Sequence, residues 1–384
     1  MRNVGIVGIG HIKFGKLEFE LVDIMAWTAL EAMKDAGIEN GIDQVFVSNM
    51  GGGIINRQCG IASALVSNLN LEPAMAELVE NGPASGSSAV KLGYMAIASG
   101  LANVVLVTGG ETMRSLNGWQ ATDFVATLLH PEAEYNYGLT LPAFAGMFTR
   151  LYMEKYGLTE QHLAMISVKN HDNAALNPFA HVRLPVTLEA IYGNPDANVI
   201  NPYMAEPLRI YDMCPVSDGA ASLILCNMDI ANRFRKKPIR IAGIGQATDT
   251  HCVHNRKDPL ELTAVKGASE KAYKMAGIGP KEISFAELHD AFSILEVAES
   301  EEIGLFERGK AKNAIELGET RVTGRIPINS SGGLKAKGHP VGATGVSQIH
   351  ELVKQLRREA EPGRQVKEPN YGLAINFGGH AEEN

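Results

Sequence analysis

Short, continuous apolar runs alternate with longer amphipathic ones along this chain. VGIVGIGHIKFG (4–15) is β-branched, has no polar face and carries a G-x-G unit. Such a run suits a strand covered by helices on both faces of its sheet. A helical stretch, LVDIMAWTALEAMKDAGI (21–38), and a second strand, IDQVFVSNMGGG (42–53), follow. The same order recurs from residue 239. IRIAGIGQATDT (239–250) reads as a strand, PLELTAVKGASEKAYKMAGI (259–278) as a helix and EISFAELHD (282–290) as a strand. The Ala-Gly-Ile units at Ala36 and Ala276 lie 240 residues apart, and the Gly-Ile-Gly units at Gly8 and Gly243 lie 235 apart. Further on, ASGSSAVKLGYMAIASG (84–100) is a helix before the strand ANVVLVTGGE (102–111). GHPVGATGVSQIHELVKQL (338–356) is a helix before the strand YGLAINFGGH (371–380). Each half therefore reads β-α-β-α-β, one unit used twice. The expected class is α/β, with an N-terminal half over 1–111 and a C-terminal half over 236–384. Between them lies an insertion, 112–235, which also holds the closing strand of the first half. Its helices are expected at 141–157 and 159–178.

Composition narrows the function classes. The 384 residues are 45% hydrophobic and 20% charged, as in an ordinary soluble globular chain. The net charge is −8 and no Lys/Arg run exceeds three residues, which argues against nucleic acid as a partner. The N-terminus has no apolar signal segment. No apolar run approaches the roughly 18–20 residues of a membrane span. Cys59, Cys214, Cys226 and Cys252 form neither C-x-x-C nor a Cys/His spacing that suits zinc, so no metal site is expected. Reduced thiols in the cytoplasm are the expected state. Neither G-x-G unit extends to G-x-G-x-x-G, and Gly10 leads into HIKFGK rather than a helix start, which sets dinucleotide binding aside.

Four polar clusters fall at strand ends or helix starts, where α/β proteins place their sites. They are ENGPASGS (80–87), ELHDAF (287–292), NSSGGLKAKGHPVGATG (329–345) and NFGGH (376–380). In KGHPVGATG, His339 stands on a glycine-flanked turn before a helix. The positive end of a helix dipole disfavours the imidazolium, leaving a neutral ring that serves as base or hydrogen-bond partner. LHDAF puts His289 and Asp290 just past a strand.

These clusters carry a resemblance. HDAFSILEVAESEEIGL (289–305) resembles the H-D-C-F motif and following helix of the thiolase superfamily, in its archaeal and sterol-carrier-protein branch. NSSGGLKAKGHPVGATGVSQ (329–348) is similar to that family's N-x-x-G-G-x-x-x-x-G-H-P-x-G-A-T-G motif. YDMCPVSDGAASLIL (211–225) resembles its strand before the second half, and ENGPASGSSAV (80–90) occupies its nucleophile segment, E-x-x-C-A-S-G. The resemblance runs from about residue 2 to 380. It implies the thiolase fold: two repeated halves forming a five-layered αβαβα core with an inserted loop domain. It also implies carbon–carbon bond chemistry on acyl-CoA thioesters, with coenzyme A thioester as substrate and no permanently bound cofactor.

The mapping breaks at the thiols. The nucleophilic cysteine falls on Pro83, the H-D-C-F cysteine on Ala291, and the C-x-G cysteine of another branch on Asn376. His289, Asn329 and His339 keep their motif positions as catalytic candidates. Ser331, Gly378 and Gly379 are the positions that would face the coenzyme A thioester. Ser85 and Cys59 are possible substitutes for the thiol, although Ser85 and Ser87 also suit a helix cap. His380 and Asn376 are further candidates, and Pro83 suits a helix's first turn. The insertion, including TLLHPEAEYNYGLTLPAF (127–144), is expected to line the acyl pocket.

Without a thiol, the expected chemistry is cysteine-independent. One form is retro-aldol cleavage of a β-hydroxyacyl-CoA, since the superfamily includes aldolases that dispense with the cysteine. The other is direct attack of CoA thiolate on a β-ketoacyl-CoA. A non-catalytic CoA-thioester-binding scaffold is the alternative. By resemblance the chain pairs as a homodimer or a dimer of dimers, and a separate small OB-fold, zinc-binding protein is an expected partner.

Overall fold

The computed structural model describes residues 1–192 and 200–382. The first half follows the hydrophobic pattern: β1 (Val4–His11), α1 (Leu21–Ala36), β2 (Gln44–Ser48), α2 (Ile61–Asn68), β3 (Met75–Val79), α3 (Ser85–Ser99) and β4 (Val104–Glu111). α1 ends where Gly37, at φ 77°, turns left-handed and returns its N–H to the carbonyls of Lys34 and Met33. The glycines of β1 have a packing purpose. A Cβ on Gly8 would stand 2.1 Å from the Ala32 carbonyl oxygen, and one on Gly10 would stand 2.0 Å from that of Thr28. Only glycine lets α1 lie this close on the strand.

The insertion carries α4 (Gly118–Ala126), α5 (Leu141–Tyr156), α6 (Glu160–Leu176), α7 (Leu188–Ile191) and a small hairpin, β5 (Tyr203–Ala205) and β6 (Leu208–Arg209). The chain then re-enters the first sheet as β7 (Gly219–Asn227). β7 runs antiparallel between β4 and β1, while β3, β2 and β4 are parallel to one another.

The second half repeats this less completely. β8 (Ile239–Arg240) closes the order β3-β2-β4-β7-β1-β8. α8 (Thr263–Ala276), β9 (Phe285–Glu287), α9 (Ser293–Glu302), α10 (Ala311–Glu316), α11 (Thr344–Arg357) and β10 (Gly372–Ala374) follow. β10 and β9 pair in parallel, and Ile328 bridges to Ala286 on the far side of β9. The strand expected over 239–250 is therefore corrected. Among the described residues only its first two pair as a strand, with β1, and none lies alongside beyond Arg240 to complete a ladder.

α3 and α11 occupy the middle of the molecule. A Cβ on Gly86 would stand 2.8 Å from the Gly345 nitrogen, so the two helices meet almost backbone to backbone near their N-termini. Apolar clusters fill both sides of the first sheet, one under α1 and α2 and one under α3 and α11. A third joins α5 and α6 to α9 and the second sheet. Both helix starts and the loops after β4, β9 and β10 thus converge between the halves.

Candidate active site

Pro83, Asn376 and His289 come together at the start of α3, although they are far apart in sequence. The Asn376 side chain joins them. Its Nδ2–H groups donate to the Pro83 carbonyl at 3.0 Å and to His289 Nδ1 at 3.1 Å. Its Oδ1 accepts the Ser87 N–H at 3.3 Å. These bonds fix the amide's orientation, and the orientation fixes a tautomer. His289 Nδ1 is an acceptor, so its proton sits on Nε2.

The second histidine is set the other way. His339 Nδ1 and Thr344 Oγ1 lie 2.7 Å apart. The single Thr344 hydroxyl proton goes to the Pro340 carbonyl, 3.0 Å away. Thr344 therefore accepts from His339 Nδ1–H, and His339 Nε2 carries a lone pair. The two rings stand perpendicular with centroids 4.9 Å apart. His289 is 2% exposed and His339 9%. Burial, aided by Lys337, pushes the His339 pKa down to about 3. Burial, with His339 nearby, holds His289 well below the usual histidine value. Both rings are neutral at physiological pH.

A buried layer of polar residues holds this pair from below. The His289 N–H donates to Glu299 Oε2 at 2.8 Å. Asn329 adopts φ 56° and is fully buried; its Oδ1 accepts the Leu288 N–H at 2.7 Å and its Nδ2 donates to Glu296 at 2.9 Å. Glu296 is paired with Lys169 at 2.5 Å. Asp290 turns away from the histidines, onto the Leu334 N–H and Asn170, at 2.7 Å each. Burial raises the carboxyls of Asp290 and Glu299 well above the ordinary range.

The remaining candidates are dispersed. Ser85 is fully buried and serves a turn: its Oγ accepts the Asn81 N–H at 2.8 Å and donates to the Gly82 carbonyl at 2.5 Å. Ser87 likewise donates to the Ala84 carbonyl at 3.0 Å. Pro83 stands one residue before the helix's N-cap, Ala84, rather than in its first turn. Ser331 is sealed against Glu287, to which its N–H donates at 3.0 Å. Gly379, at φ 57°, forms the tight turn after Gly378, whose carbonyl accepts the Ala381 N–H at 3.1 Å. His380 is buried against Phe144 and Phe148 of α5, and its Nε2 meets no partner among the described residues. Cys59 is exposed on the turn before α2.

Three features escaped the sequence pattern. Cys214 lies beside an empty thiol slot, its backbone N–H donating to the Ala291 carbonyl at 2.9 Å. Burial pushes its thiol up to about 12. Thr344 sets a tautomer, yet within GATG it reads as a helix residue. Glu134, Cys252 and His254 bring three potential metal donors within 4.8 Å of one another, where no metal was expected. Both Glu134 oxygens already accept backbone N–H groups, from Val253 and His130 at 3.0 Å each. The Cys214–Ala291 contact and the approach of Glu134 to Cys252 and His254 join residues far apart in sequence.

Comparison with known proteins shows the family. A family described as "Thiolase, N-terminal domain" matches residues 4–229, and "Thiolase C-terminal domain-like" matches 245–384. Over 381 residues the chain is 39% identical to an acetyl-CoA acetyltransferase of Methanothermobacter thermautotrophicus, covering 99% of this chain and 97% of that protein. It is 31% identical over 373 residues to the benzoylsuccinyl-CoA thiolase subunit BbsB of Thauera aromatica, covering 95% and 92% of the two chains. The solved structure of the Ltp2-ChsH2(DUF35) aldolase superposes with a TM-score of 0.83 at 25% identity, covering 98% of this chain and 95% of that one.

Proposed function

The chain belongs to the thiolase family of acyl-CoA enzymes, and from that premise we propose that it cleaves a β-hydroxyacyl-CoA by a retro-aldol step without a cysteine-bound acyl group. One observation carries the proposal: the two site histidines are held in opposite tautomers, one an acceptor at Nε2 and the other a donor. His339 Nε2 takes the proton of the β-hydroxyl. The Cα–Cβ bond breaks, the new carbonyl leaves as an aldehyde or ketone, and the bond's electron pair forms the thioester enolate. His289 Nε2–H donates to the enolate oxygen. The His339 imidazolium then returns its proton to Cα, giving the shortened acyl-CoA, so protons and electrons balance. A resting pKa near 3 makes His339 a weak base, and the developing negative charge beside it raises its basicity during the step.

Pro83 offers no thiol, and Ser85 Oγ is bonded away from both histidines. The likeness to an aldolase at a TM-score of 0.83 supports the same reading. Thiolysis by direct attack of CoA is the second reading, favoured by the 39% identity to an acetyltransferase. Asn329 is a positioning residue in either case, since its amide is committed to Leu288 and Glu296. Ser331, Gly378 and Gly379 shape the loops around the thioester, and His380 closes the acyl side with Phe144. A partner subunit fits a chain whose structural likeness is to an aldolase named for two components. The exposed Met75 and Leu78 on edge strand β3 suit pairing with a second copy. Four free thiols fit a reducing cytoplasm.

The test is product analysis with β-hydroxyacyl-CoA and, separately, β-ketoacyl-CoA plus CoA. Carbonyl release without added CoA is the expected result. Cleavage only with CoA would replace the aldol reading by thiolysis. Binding of both thioesters without turnover, alone and with co-purified partners, would make the chain a scaffold.

A further inference from the structure

Away from the histidine pair, one group of side chains gathers the donor atoms of a metal centre. Glu134 lies in the insertion, on the loop before α5, and Cys252 and His254 lie on the loop between β8 and α8. A carboxylate oxygen, a sulfur and an imidazole nitrogen from these three fall within 4.8 Å of one another. Three points that close share a centre at most about 2.8 Å from each, whereas zinc bonds such ligands at about 2.0–2.3 Å. An inward shift of about 0.5–0.8 Å per donor, a small side-chain adjustment, completes three bonds.

The backbone around these donors already holds them in place. Glu134 is buried, and its two oxygens accept the Val253 N–H and the His130 N–H at 3.0 Å each. These bonds fix the carboxylate's orientation, as the outer partners of metal ligands do. They occupy two of its four lone-pair sites and leave two for a cation. The turn that carries the other donors is closed by its own backbone. The Asn255 N–H donates to the Cys252 carbonyl at 3.1 Å, and the Arg256 N–H to that of Val253 at 2.9 Å. Cys252 is buried and His254 is exposed, so the group is shut on one side and open on the other. The open side gives an ion its entry path and leaves a fourth position to water. Sulfur and imidazole beside a single carboxylate suit zinc, whereas magnesium and calcium take oxygen ligands. His130 and His251, with ring centroids 5.8 Å apart, stand alongside but outside the set.

We propose that Glu134, Cys252 and His254 bind one Zn²⁺ per chain, with water as the fourth ligand, and that the ion clasps the insertion onto the second half. Cys252 gives its thiol proton to solvent on binding, and thiolate and carboxylate together neutralise the dication. The clasped loop leads into α5, whose Phe144 and Phe148 pack on His380, so the ion steadies the helix at that face. The clasp does not depend on which reaction the two site histidines perform.

The test uses the full chain without a histidine tag, in a Cys59→Ser background that removes the exposed thiol. Zn²⁺ is titrated against a competing chelator, and Co²⁺ serves as the spectroscopic probe. One equivalent of Zn²⁺ is the expected uptake, with slower amide exchange across 130–138 and 251–256. Co²⁺ should show a thiolate-to-metal charge-transfer band that Cys252→Ser removes. Cys252→Ser, Glu134→Gln and His254→Ala should each lower Zn²⁺ affinity by about 100-fold or more, beyond the roughly 10–100-fold loss of an outer partner. His130→Ala and His251→Ala should change it by less than about tenfold. His254 is exposed, so its variant folds even if the buried pair tolerates no change. The proposal is overturned if no stoichiometric Zn²⁺ is taken up, if Co²⁺ binds without the thiolate band, or if His254→Ala binds as tightly as the parent. An equal loss in His130→Ala or His251→Ala would place the ion on those histidines and overturn it as well.

Discussion

His289 and His339 differ in what their neighbours leave free, and that difference sets what each can do. Thr344 takes the Nδ1–H of one and Asn376 fills the Nδ1 of the other, so a base and a donor stand side by side. His339→Ala should lower turnover by about 10²–10⁴-fold, the usual range for a positioned base, with carbonyl release as the readout. Asn376→Leu should lower kcat by about 10-fold or more with little change in KM. It leaves the Pro83 carbonyl and His289 Nδ1 unpaired, which costs roughly 1–3 kcal/mol of stability in a denaturant titration. Pro83→Cys puts a thiol at the helix start next to this pair; mass spectrometry should then detect an acyl adduct that the parent chain never forms. Because burial holds the His339 pKa at about 3, the rate should stay flat as pH falls from 8 to 5. An acid limb centred near 6.5 would mean that another group is the base.

At the scale of elements, the site depends on how closely α3 and α11 approach. A Cβ on Gly345 would stand 2.3 Å from Asn376 Oδ1 and 2.4 Å from the Ser87 nitrogen. Gly345→Ala should therefore destabilise the fold by about 1–3 kcal/mol and reduce turnover together, because relief of the clash displaces the amide that orients His289. The helices were legible in the chain from their 3.6-residue periodicity, and the strands of the first half from their continuous apolar runs. The strand expected over 239–250 shows where such reading stops. Its composition matches β1, glycines included, yet a strand needs a neighbour to pair with, and among the described residues none pairs with it beyond Arg240.

Over the whole molecule, the interior holds an unusual set of neutral histidines. His11, His171, His289, His339, His350 and His380 are all buried with lowered pKa values, chiefly through desolvation. Each takes up a proton more readily in the unfolded chain. Its contribution to stability is thus complete above about pH 6.5 and is lost as pH falls toward the folded value. His350→Gln removes one such group, so the slope of unfolding free energy against pH should be less steep, by an amount that grows from pH 6.5 downward to at most about 1.4 kcal/mol per unit near pH 5. An unchanged slope would place the proton uptake on other groups. The sequence by itself determined the repeated α/β halves, the family and the motif histidines, because periodicity and motif spacing are local properties of the chain. The tertiary structure decided which tautomer each histidine holds and what Asn376 does in the place of a thiol. Those depend on pairings between residues as far apart as Pro83 and Asn376, and a hydrogen bond at 3 Å leaves no trace in the spacing of residues along a chain.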